Sequence, residues 1–145
     1  MSDINHESPS VHSYLQILQS VINRMASNSA GCKTWCITLV SAIVVIIADK
    51  GKPDYVWVSL IPIVLFFFLD SYYLGMERGF REKYDEFIQK LHSDSATISD
   101  IFIVTPAGNV GNVLLSTIKS SLSLSVWPFY TLLAGMLCVV RVWVL

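Results

Sequence analysis

The chain has 145 residues, a net charge of −1, 53% hydrophobic and 14% charged residues, and three cysteines. An ordinary soluble domain carries roughly a quarter charged residues, and a unit this small could not hide so much apolar surface, so part of it is expected to face lipid. The charge balance excludes the basic footprint of a nucleic-acid-binding module, and the mean hydropathy of +0.55 agrees with the lipid-facing expectation.

Met1 to Ser10 is polar and includes Asp3 and Glu7. It lacks a basic stretch ahead of a short apolar core, so no cleavable signal peptide is expected, and no lipidation motif is visible at either end. Ser8-Pro9-Ser10 reads as a helix start, with Ser8 or Ser10 as the cap. Val11, Tyr14, Leu15, Leu18, Val21, Ile22 and Met25 then recur at helical spacing, opposite His12, Gln16, Gln19, Asn23 and Arg24. That is one apolar face of an amphipathic helix. Ser27-Asn28-Ser29-Ala30-Gly31 reads as a polar break that ends it.

Thr34 to Ala48 carries no charge and, extended by Cys32 and Lys33, reads as a first membrane helix, with Lys33 able to snorkel to headgroups. Asp49-Lys50-Gly51-Lys52-Pro53-Asp54 is a tight turn, with Gly51 closing one helix and Pro53 opening the next. Tyr55 to Leu69 is the second uncharged run, followed by Asp70 and the interfacial pair Tyr72-Tyr73. The same helix is expected to continue as Met76 to His92, with Phe80, Tyr84, Phe87, Ile88 and Leu91 on its apolar side.

Ser93 to Pro106 reads as a linker holding a β-like run at Ile101–Val104. Asn109 to Ser125 is weakly amphipathic, with Val110, Val113, Leu114 and Ile118 opposite Asn112, Ser116, Lys119 and Ser123. It suits the membrane interface or a re-entrant helix. Val126 to Leu145 has one charge, Arg141, and reads as a third membrane helix. The expected fold is therefore all-α: a helical integral membrane protein with about three transmembrane helices plus amphipathic cytoplasmic helices. Its parts are an N-terminal helix at 1–31, a hairpin with an extension at 32–92, a linker and amphipathic helix at 93–125, and a last span at 126–145. Lysines and arginines near the span ends place the N-terminus and the 76–125 segment in the cytoplasm, with Arg141 counting slightly against that orientation.

No catalytic constellation is expected. Cys32 and Cys36 are one helical turn apart, not in a CxxC pair, and no histidine completes a metal set with them. Gly108-Asn109-Val110-Gly111 lacks the Lys-Ser/Thr of a phosphate loop and reads as a turn. No cofactor is expected. Asp70 is the one acid inside an apolar run, and an ionisable group at membrane depth needs a partner or a task. Lys33 lies about 18 residues before the centre of the turn and Asp70 about 18 after it, so a helical hairpin puts them at one depth. The pair is expected either to fix hairpin register or to line a cation path or gate. Ser116, Ser120 and Ser123 are candidate pore-lining residues of an oligomer. Arg24, Arg78, Arg81, Lys83 and Lys119 are candidate contacts for anionic lipid or an anionic ligand such as a nucleotide. Gly75 and Gly79 match GxxxG, but in a charged setting.

The run Arg24-Met25-Ala26-Ser27-Asn28-Ser29-x-x-x-Lys33-x-Trp35 resembles a pattern of small bacterial inner-membrane proteins, where it opens a membrane hairpin. Leu69-Asp70-Ser71-Tyr72-Tyr73-Leu74 and the charged helix through Glu77, Arg78, Phe80, Arg81 and Tyr84 belong to the same likeness, which covers about the first 90 residues. Some such proteins resemble membrane-permeabilising effectors of antiviral defence systems. The resemblance implies a homo-oligomeric channel or pore of the bacterial inner membrane, gated by a cytoplasmic sensor protein or a nucleotide-type signal. The alternative is a non-conducting membrane anchor that recruits a cytoplasmic partner.

Overall fold

The computed structural model describes residues 8–107 and 110–143. Among them there is no strand. The elements are α1 (Pro9–Lys50), a 3₁₀ helix (Pro53–Ser59), α2 (Leu60–His92), a 3₁₀ turn (Ile98–Asp100), α3 (Val110–Ser121) and α4 (Trp127–Trp143). The chain is all-helical, with two helices long and apolar enough to cross a membrane. α4 is apolar but shorter, 17 residues, about 25 Å at the helical rise.

α1 starts where the Ser8 hydroxyl accepts from the Val11 amide. It does not end at the expected break. Residues 27–31 are helical, and the two expected helices are one helix of 42 residues. One of the small polar residues there is satisfied from outside the local sequence. Ser29 points inward and donates to Asp70 on α2, while the Thr34 hydroxyl donates back to the Ala30 carbonyl. The helix stops at Gly51, whose φ of 59° is the left-handed cap conformation glycine accepts most readily.

Pro53 then opens the return, first as a 3₁₀ helix. Pro62 cannot donate back to Val58, which removes one rung of an α-helical ladder from this stretch. From Leu60 onward α2 is uninterrupted through Asp70 to His92. The β-like run at Ile101–Val104 is turn and extended loop, tied down rather than paired. Tyr14 donates to the Ile103 carbonyl at 2.9 Å, and Lys90 meets Asp100 at 2.6 Å. Gly108 and Asn109 of the expected turn lie outside the described residues, and Val110 and Gly111 already belong to α3.

Two cores form along the hairpin. Val11, Tyr14, Leu18 and Ile22 of α1 pack on Phe80, Phe87 and Leu91 of α2 in its charged half. Cys36, Val40, Val56, Ile63, Val126, Tyr130 and Leu137 form the second, in the apolar half, where α4 joins the hairpin. Contacts to α2 descend steadily along the returning chain: Pro106 reaches Gly79, Thr117 reaches Gly75, and Tyr130 donates to the Phe66 carbonyl. At the far end Arg141 meets Asp54 at 2.9 Å. The segment from Pro106 to Arg141 therefore runs back antiparallel to α2. The apolar half differs from a soluble core in one respect. Trp35, Leu39, Val45, Ile61, Leu65, Phe68, Leu132, Met136 and Val142 all point outward.

Candidate functional site

The boundary between the two cores is polar and buried. Cysteine, serine and lysine at helical spacing on α1 (Ser29, Cys32, Lys33, Cys36) put one stripe against α2. On α2, Asp70 and Ser71 are buried side by side. Lys33 Nζ lies 2.6 Å from Asp70 Oδ2 as an ion pair and Ser29 donates to Oδ1, while Oδ2 is buried and accepts no hydrogen bond from the described residues. Ser71 donates to the Phe67 carbonyl at 2.7 Å, inside its own helix. α4 arrives at the same height, because Phe66 is one turn before Asp70 and its carbonyl accepts from Tyr130. The ring of Tyr130 stacks edge-on against Phe67 and Phe129.

Burial is unequal across the pair. The Asp70 side chain is fully enclosed, whereas that of Lys33 is 21% exposed. The carboxylate is thus the trapped charge and the ammonium the one with a way out. Lys33 and Asp70, equally far from the turn in sequence, are in contact. Ser29 joins them, and its one signal in the sequence is its position one turn before Lys33, on the stripe facing α2.

The serine stretch sits differently from a free pore wall. Ser116 donates to the Gly75 carbonyl at 3.2 Å, Ser120 is fully buried, and Ser123 accepts from Arg78 at 3.0 Å. Ser116 and Ser123 are half-buried and each makes a hydrogen bond within the protomer, while Ser120 is enclosed. The glycines discounted for their charged setting are close-approach points. A Cβ at Gly75 would lie 3.0 Å from the Thr117 amide nitrogen, and one at Gly79 would lie 3.1 Å from Pro106. The Gly79 carbonyl also accepts from the Ala107 amide at 3.1 Å.

Among the candidate anion contacts, Arg24 on α1, Arg78 and Arg81 on α2 and Lys119 on α3 are exposed and Lys83 is half-buried. Arg81 pairs with Glu77 at 2.8 Å one turn back. Arg78 and Arg81 line an open groove of ≈ 450 Å³, but Glu82, Asp85 and Glu86 share it, which makes it mixed in sign. Arg141, which spoiled the charge asymmetry, pairs with Asp54 and lies 5.3 Å over the Trp57 ring. In the charged half, the hydrogen bonds from Lys90 and Thr97 hold the Asp100 carboxyl down at about 2, and burial followed by Asp100 raises the Tyr14 hydroxyl above its usual range. Among the described residues no group of three His, Cys, Asp or Glu could hold a metal ion.

No family model, curated protein or solved structure matches the chain.

Proposed function

We propose that the protein is a non-catalytic, multi-pass protein of the bacterial inner membrane that assembles into an oligomeric channel or pore. The observation that carries this reading is the outward-facing apolar half ending at a buried ion pair. The length of α1 from Lys33 to Lys50 is about 26 Å, close to a hydrocarbon core of about 30 Å. Charged residues border it at both ends: Lys33 and Asp70 at one, Lys50, Lys52, Asp54 and Arg141 at the other. A soluble helix of this hydropathy would be mostly buried, whereas only 22% of the most apolar window of α1 is. The charge asymmetry then puts the N-terminus and the charged half in the cytoplasm.

Three packed helices leave no room for a wet path through one protomer, so conduction needs several copies. The Lys33–Asp70–Ser29 cluster fixes the register of the hairpin on which those copies assemble, at the cytoplasmic border of the span. Release by a cytoplasmic sensor or nucleotide-type signal, as in antiviral defence, rests on the resemblance of the hairpin motif alone.

A second reading has its own observation. The charged half has a core of its own and an open charged groove on α2, which suits a non-conducting anchor that recruits a partner. The two part on ion flux. Induction in bacteria with a voltage-sensitive dye is expected to depolarise the inner membrane with the parent chain and not with Asp70→Ala at equal membrane expression. A polarised membrane at high expression of the parent would overturn the channel and leave the anchor.

A further inference from the structure

α3 packs inside out. Among the described side chains of α3, Ser116 and Thr117 meet Gly75 of α2 and Ser120 is fully buried. At about 100° per residue, Leu115 and Ile118 fall within about 40° of the direction opposite Ser120, and Leu122 follows in the turn that ends α3. They are 53%, 56% and 76% exposed, and Leu124 beyond them is 91% exposed. An amphipathic helix on a water-soluble surface turns its leucines inward and its serines out. Gly75 enforces the reverse here, because only a small-residue face can come within 3.0 Å of its missing Cβ.

Two features say what covers the outer face. First, it continues a belt: Leu122 and Leu124 lead into Trp127, Leu132, Met136 and Val139 of α4, all outward-facing. Second, Lys119 is exposed on the flank of the same helix, where a lysine can reach a phosphate while its stem lies along apolar surface. Four side chains are far fewer than the roughly 20–30 residues per side of a stable protein interface.

We infer that the Leu115/Ile118 face of α3, with Leu122 and Leu124 of the turn that follows it, is a lipid-contact surface at the cytoplasmic boundary of the bilayer, with Lys119 binding an anionic phospholipid headgroup. This rests on the membrane reading above and extends it to a segment that is not a span. Interfacial helices of this kind combine buried apolar side chains with attraction of cations to anionic lipid.

The test is photo-crosslinking of the full chain in nanodiscs of phosphatidylethanolamine and phosphatidylglycerol. A benzophenone amino acid replaces Ile118, Gln89 or Leu132 in turn, and the adducts are read by mass spectrometry. The expected result is lipid adducts at 118 and 132 and none at 89. The phosphatidylglycerol share at 118 should fall about fivefold in a Lys119→Gln background, the loss of one cation near an anionic surface. Adducts at 132 without any at 118 would overturn the inference while leaving the membrane reading intact. Adducts from 118 to a second copy of the chain would overturn it in favour of self-association. No lipid adduct at 132 would be the failure of the membrane reading itself.

Discussion

Removing either member of the Lys33–Asp70 pair should not cost the same. Asp70 is fully enclosed and Lys33 is 21% exposed. Lys33→Met therefore strands a buried carboxylate whose remaining partner is the Ser29 hydroxyl. Stranding one member of a buried ion pair costs about 3–5 kcal/mol, and this variant should fall in that range. Asp70→Asn leaves an oxygen to accept from Ser29 and frees an ammonium that can swing toward the headgroups. Its cost should be smaller, about 1.5–3 kcal/mol, the scale of a hydrogen bond to a charged group. Equilibrium unfolding in mixed micelles, followed by tryptophan fluorescence, measures both. If Asp70→Asn costs as much as Lys33→Met, the trapped-carboxylate argument is wrong, and Lys33 has no escape route.

Gly75→Leu should force α3 off α2, because the clash is with Thr117 backbone rather than a movable side-chain end. The cost should be about 1–3 kcal/mol, seen as faster amide exchange across α3, with Gly79→Ala milder since it meets Pro106 side-chain atoms. The Asp100 carboxyl is held below its ordinary value of 3.8, at about 2. A folded value below the unfolded one contributes stability that is complete above the unfolded value. That contribution is lost as pH falls from 3.8 toward about 2. Amide exchange in the 96–107 loop should speed up across that window, and Asp100→Asn should abolish the dependence. Tyr14→Phe removes the bond to the Ile103 carbonyl and should loosen the same loop by about 1 kcal/mol at any pH. Arg141→Leu should cost less than about 1 kcal/mol, because its partner Asp54 is 86% exposed.

The hairpin was legible because its signals are local. Gly51 and Pro53 mark the turn, and the hydrophobic runs on either side have helical length. Counting from that turn was enough to set Lys33 against Asp70. What was not legible depends on partners far away in sequence. Ser29 reads as a helix breaker until Asp70, 41 residues on, accepts its hydroxyl. Gly75 and Gly79 sit among charges, yet both lie on the one face of α2 that α3 and Pro106 approach. The β-branched run at Ile101–Val104 has strand propensity but no partner strand among the described residues, and Tyr14 captures its backbone instead. Which face of α3 looks inward is likewise not legible in the sequence: Ser116 and Thr117 meet Gly75 of α2, 41 and 42 residues away.

The most direct test of the proposed function is ion flux through purified protein in vesicles of phosphatidylethanolamine and phosphatidylglycerol, at rising protein-to-lipid ratio. Flux should climb more steeply than the first power of that ratio, as an assembly of several copies requires, and should disappear in Asp70→Ala. Complete insertion without flux at any ratio would contradict the proposed function.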